Sequence, residues 1–176
     1  MLLLNILCAY CLGFSSMILF DFDLQSDLSA WTVVDDVVMG GRSEGRFQLD
    51  EEGNAAFSGL VSLENNGGFS SVRYGFRQKE VSAYQKFIIR VKGDGKRYQF
   101  RVKSGPYDRH SYICYFQTTG EWQAVEIPFS EMHPSFRGME LNMPNYPGEA
   151  MSEIAFLIAN KKAEGFELVI DKISLE

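Results

Sequence analysis

The sequence predicts an all-β fold in which two antiparallel sheets stack as a sandwich. Three observations carry that prediction. Apolar residues alternate at period two through most of the chain, as half-buried strands require. Sixteen glycines and 14% aromatic residues combine turn chemistry with side chains suited to a pleated surface. Eight or more short strands recur at regular spacing between polar turns, and only Gln78 to Gln85 and Gly148 to Met151 allow a helical turn or two. At 176 residues the chain is long enough to bury a full core as one domain.

The first element is the apolar run MLLLNILCAYCLGFSSMILF. Leu2 to Phe14 is uncharged, the length of a signal-peptide core and short for a bilayer span. Gly13 and Ser15 suit the small-residue positions before a cleavage point, but no Lys or Arg precedes the run. Residues 1–16 therefore read as an apolar leader or as an extension ahead of a start at Met17, and residues 17–176 as the domain. The first reading places the protein outside the cytoplasm; the second keeps it cytoplasmic, with membrane association open. Cys8 and Cys11 form a C-x-x-C pair without the second pair a zinc site needs or the strand–helix context of a redox motif.

Strands then follow in order. Phe69 to Phe76 is one, opened by the turn Asn65-Asn66-Gly67-Gly68. Lys86 to Val91 and Arg97 to Lys103 are two more, and Lys92-Gly93-Asp94-Gly95 between them predicts a hairpin because glycine takes positive φ freely. Tyr112 to Thr118 and Trp122 to Phe129 predict a second hairpin around Thr119-Gly120-Glu121. Ile154 to Ala159 and Phe166 to Ile173 finish the chain, joined by Lys161 to Gly165. Alternation puts Tyr98, Phe100 and Val102 inside, with Val125, Ile127 and Phe129, and with Phe166, Leu168 and Ile170. Arg97, Gln99, Arg101 and Lys103 then share the opposite face, with Ser71 and Arg73 on a neighbouring strand.

Charge narrows the function. Lys and Arg total 17 against 23 Asp and Glu, a formal charge of −6, which argues against nucleic acid as a partner. Three cysteines exclude a disulfide framework, and His110 and His133 are the two histidines available to catalysis. Gly41-Arg42-Ser43-Glu44-Gly45 fits G-x-S-x-G, the nucleophile elbow of serine hydrolases. An elbow needs a helix after the serine, and Arg46 to Asp50 alternates like a strand. The segment reads instead as a turn in which Gly40, Gly41 and Gly45 supply unusual backbone angles and Asp35 or Asp36 bonds backbone amides. Asp21, Asp23 and Asp171 could hold calcium through oxygen ligands, but isolated carboxylates usually sit solvated on the surface. No cofactor is expected. Arg73, Gln99 and Arg101, with Tyr115 or Trp122 near them, form the candidate site. Mid-strand arginines opposite a core-facing row line an open sheet face, where they can grip a ligand by bidentate hydrogen bonds and ring stacking.

Five ordered motifs add a resemblance. Asp35-Asp36-Val37-Val38-Met39-Gly40-Gly41-Arg42-Ser43 resembles the D-D-x-x-M-G-G-x-S signature of the complex I intermediate-associated protein 30 family. Phe57 to Phe69 resembles its F-x-G-x-x-S-x-x-N-N-G-G-F segment, followed by Ser71-Val72-Arg73. Gly93-Asp94-Gly95 with Tyr98 and Arg101, Trp122 to Phe129, and Gly165 to Ile173 resemble its remaining motifs, so the likeness runs from about Ile18 to Glu176. It implies a jelly roll of the galactose-binding type. It also implies kinship with mitochondrial assembly factors for NADH:ubiquinone oxidoreductase, although the sequence reads as the bare domain of bacterial relatives. The expected function is a non-enzymatic assembly factor or scaffold that binds a protein partner, such as respiratory-complex subunits or assembly intermediates. A carbohydrate- or small-ligand-binding module on the same polar face is the alternative. Asp35, Asp36, Met39, Gly40, Gly41 and Ser43 form the motif turn.

Overall fold

Period-two alternation becomes two stacked antiparallel sheets in the computed structural model, which describes residues 16–176. The readings for the apolar run and for Cys8 and Cys11 lie outside those residues. Among the described residues the strands are β1 (Met17–Asp21), β2 (Trp31–Asp35), β3 (Glu44–Leu49), β4 (Ala55–Val61), β5 (Ser70–Glu80), β6 (Lys86–Gly93) and β7 (Arg97–Lys103). They continue with β8 (Ser111–Gln117), β9 (Trp122–Pro128), β10 (His133–Phe136), β11 (Met139–Glu140), β12 (Ala150–Ile158) and β13 (Glu164–Leu175). One sheet runs β3-β4-β13-β6-β9, with β1 added along the C-terminal end of β13. The other runs β11-β10-β8-β7-β12-β5-β2. No helix among the described residues is long and apolar enough to cross a membrane.

The inward rows meet as an aromatic core. Tyr98, Phe100, Phe87 and Phe156 are fully buried, with ring centroids 4.9 Å apart for Phe87–Phe100 and 5.3 Å for Phe100–Phe156. Each such burial stabilises the fold by roughly 2–3 kcal/mol. Phe166, Leu168 and Ile170 are buried as the alternation requires. Val125 is half-buried, and Phe129 leaves the strand: β9 ends at Pro128, and Phe129 opens a 3₁₀ turn while staying in the core. Phe20, Phe22, Trp31, Phe47 and Tyr74 close one end of the sandwich, with Phe20 edge-on to Tyr74 at 4.7 Å.

Both predicted hairpins are arches instead. β6 pairs with β13 and β9, whereas β7 pairs with β8 and β12, so Lys92 to Gly95 carries the chain between sheets. The β8–β9 and β12–β13 connections cross in the same way. Hairpin and arch ask for the same polar, glycine-rich residues; they differ in whether the two strands bond each other or face each other. At the first arch the reason for Gly93 is space, since a Cβ there would lie 2.5 Å from Thr118 Cγ2. Asp94 locks the arch by accepting hydrogen bonds from the Tyr98 hydroxyl at 2.9 Å, Lys96 Nζ at 2.6 Å and the Glu167 backbone N–H at 3.0 Å.

Candidate functional site

The motif turn lies beside one end of the seven-stranded sheet. β2 ends at Asp35, whose carboxylate accepts from the Ser70 hydroxyl at 2.6 Å and the Gly45 N–H at 2.8 Å. Asp36 follows, fully buried, at the start of a 3₁₀ turn. It accepts from the Ser43 hydroxyl at 2.5 Å and from the N–H groups of Ser43, Gly68 and Phe69 at 2.9, 2.5 and 3.2 Å. Burial by itself would raise its pKa, but these bonds outweigh the desolvation and hold the carboxyl below the usual aspartate range. Of Gly40, Gly41 and Gly45, the positive φ belongs to Gly40 alone, at 92°. Gly41 and Gly45 are needed for room: a Cβ would lie 2.2 Å from Asp36 Oδ1 at the first and 2.3 Å from Ser70 Oγ at the second. Gly67 likewise leaves space for Asp36 Oδ2. Two sequence motifs thus interlock around one carboxylate.

That network also decides the G-x-S-x-G reading. Ser43 is buried, its hydroxyl is spent on Asp36 and accepts the Ser62 N–H at 3.0 Å, and β3 follows it rather than a helix. His110 packs on Tyr112 and His133 beside Tyr115, in other parts of the fold. Asp21 pairs with Lys172 and Asp171 with Arg90, each at 2.7 Å, and Asp23 bonds Ser26. Among the described residues no group of three His, Cys, Asp or Glu is arranged to hold a metal.

The outer face of the seven-stranded sheet holds a groove of about 640 Å³. Register places Arg73 and Arg101 in one row on either side of Ala155, with Ser71, Leu157 and Gln99 in the next row. Two strand spacings separate the arginine Cα atoms by about 10 Å, with the small Ala155 between them. Each guanidinium is propped from behind by a residue two positions earlier on its own strand. Arg101 Nε donates to Gln99 Oε1 at 2.9 Å, and Arg73 Nε donates to Ser71 Oγ at 3.4 Å. Among the described residues neither arginine pairs with a carboxylate. Burial, with the neighbouring Arg73 charge, pushes Arg101 down to about 10, so it remains cationic at neutral pH. Among the described residues Glu153 is the one carboxylate lining the groove, and it faces Lys103 at 3.6 Å.

The walls come from loops. Met39, Gly67, Gly68 and Phe69 form one side; Arg109, Phe136 and Arg137 form the other. Arg109 and Arg137 were not foreseen, because they reach the groove from connections whose path the sequence pattern leaves open. The Arg137-Gly138 pair, with φ of 51° and 77°, is the local signal of that turn. Tyr115 lies in the Gln99 row at the groove's edge, under the Arg97 guanidinium at 4.6 Å. Trp122 does not belong here. It sits on β9 in the other sheet, stacked with Arg90 at 4.6 Å beside Asp50, Glu52 and Asp94. The β8–β9 arch, where a hairpin was expected, is what separates it from Tyr115.

The sequence matches the family described as Complex I intermediate-associated protein 30 over residues 20–170. A Mus musculus relative, "Complex I intermediate-associated protein 30, mitochondrial", is 25% identical over 181 residues, 90% of this chain and 55% of the relative. The chain therefore spans about half that relative's length. Among solved structures, the family 11 carbohydrate-binding module of a Clostridium thermocellum cellulosomal cellulase superposes with a TM-score of 0.68 at 19% identity, over 93% of this chain and 95% of that one. The family 11 module from the same organism with a β-1,3-1,4-mixed-linked tetrasaccharide bound gives 0.66 at 18% identity, over 91% and 94%. These likenesses show the jelly-roll fold. With the family match spanning both interlocked motifs and the groove strands, the chain belongs to the complex I intermediate-associated protein 30 family.

Proposed function

We propose that this domain is a non-enzymatic docking module, an assembly factor or scaffold that takes a protein partner on the outer face of its seven-stranded sheet. The observation that carries the reading is a basic groove in an acidic chain, set beside an exposed apolar turn. Among the described residues five cationic side chains and one carboxylate line the groove, while the whole chain carries −6. Val37, Val38 and Met39 are 59%, 74% and 65% exposed, held outward by the buried Asp36. Apolar side chains next to unpaired charge suit a protein surface better than a sugar. Two aromatic rings at the groove support the same choice. Phe136 lies under Arg109 at 5.2 Å and Arg137 at 5.3 Å, and Tyr115 under Arg97, so these rings are not free platforms for a neutral sugar. By family kinship, the proposed clients are subunits or assembly intermediates of respiratory complex I.

A photo-crosslinking amino acid at position 39 tests this in the native host, with position 126 on the other sheet as control. The expected result is capture of complex I components from position 39 alone. Equal capture from both positions, or groove-dependent binding of a neutral glycan on an array, would overturn it.

A further inference from the structure

Arg73 and Arg101 are half-buried cations without a carboxylate partner among the described residues. A cation removed from water is costly unless paired and hydrogen-bonded. Both guanidinium groups have Nε occupied, by Ser71 and by Gln99, and neither Nη pair donates to a protein acceptor among the described residues. Gln99 is buried and spends its Oε1 on Arg101, so its amide Nε2 remains a donor toward the same space. Between the two forks stands Ala155, whose side chain is too short to fill the gap. All these groups donate, and among the described residues no protein acceptor completes them.

We propose that the groove holds a carboxylate from an acidic side chain of the partner, clamped between Arg73 and Arg101 above Ala155. Guanidinium forks match a planar carboxylate by paired N–H···O bonds. Met39 of the apolar turn lines the same groove, which selects an acidic residue with an apolar neighbour in its chain over a free inorganic anion. Glu153 acts on Arg101 only through space; its ion pair, at 3.6 Å, is with Lys103. The proposal deepens the docking reading by naming the group that is docked.

The test supplies the carboxylate from within. Ala155→Glu places one between the two arginines, and Ala155→Gln controls for size. The Glu variant is expected to melt about 3 °C or more above the Gln variant, from charge-assisted hydrogen bonds in a domain of this length, and the difference should vanish in the Arg73→Met, Arg101→Met background. Equal melting of the two variants would sink the clamp and leave protein docking elsewhere on the face standing. On the unmodified domain, a capped peptide with two glutamates beside a leucine and a valine should bind at least about tenfold tighter than its glutamine counterpart. Inorganic phosphate binding as tightly as that peptide would overturn the choice of carboxylate, and the mixed-linked tetrasaccharide doing so would overturn the charge-based reading. Docking itself fails separately, if the crosslinker at position 39 captures no complex I component while the Glu and Gln variants still differ.

Discussion

Asp36 accepts four hydrogen bonds from Ser43, Gly68 and Phe69, and removing it strands several buried donors at once. Each such loss costs about 1–3 kcal/mol, so Asp36→Ala should destabilise the domain by roughly 3 kcal/mol or more, read as a lower urea midpoint. The pH dependence follows from the lowered pKa. Its stabilising effect is complete above the unfolded carboxyl value of about 3.9 and is lost as pH falls through the lower folded value. Between those values the unfolded chain binds the extra proton, so stability declines on acidification. Asp36→Asn should flatten that part of the profile; an unchanged acid limb would mean that other carboxylates set it. The same residue shows what local reading achieves. The sequence reading has Asp35 or Asp36 bonding backbone amides, and both do; it assigns Gly41 and Gly45 to backbone angles where they serve close approach, because φ is a local property and a close approach is not.

At the scale of elements, the arches decide the fold. Asp94 ties the β6–β7 arch to the start of β7 through Tyr98 and to β13 through the Glu167 amide. Burial, with Asp94 beside it, keeps the Tyr98 hydroxyl protonated far above its ordinary range. Asp94→Ala removes both ties and should cost about 2 kcal/mol, with hydrogen exchange rising first at Glu167 and along β7. A variant that melts normally and exchanges normally would show that core packing alone holds the arch. The positions of β5 to β9, β12 and β13 are legible because alternation is set by residues two apart; β1, β2, β4, β10 and β11 are not placed by it. Which strands pair is not legible, because Gly93-Asp94-Gly95 serves a hairpin and an arch equally well. The same ambiguity at Thr119-Gly120-Glu121 puts Trp122 near the arginine face in a hairpin reading, whereas the β8–β9 arch carries it to the opposite sheet.

Across the whole molecule, charge is segregated. An acidic chain keeps a basic groove on one face, a field that would steer the proposed acidic partner toward it and repel that partner elsewhere. Peptide affinity should therefore fall as salt rises from about 0.05 M to about 0.5 M, as the screening length drops well below the groove's span. Salt-independent binding would place the affinity in the apolar turn instead. The all-β class, the inward rows and the arginine-bearing face are written in the order of residues, since side-chain alternation needs no distant partner. The register that sets Arg73 and Arg101 on either side of Ala155, the loops that bring Arg109 and Arg137 to the wall, and the carboxylate joining two motifs all depend on pairing between distant segments, and only the folded chain supplies that.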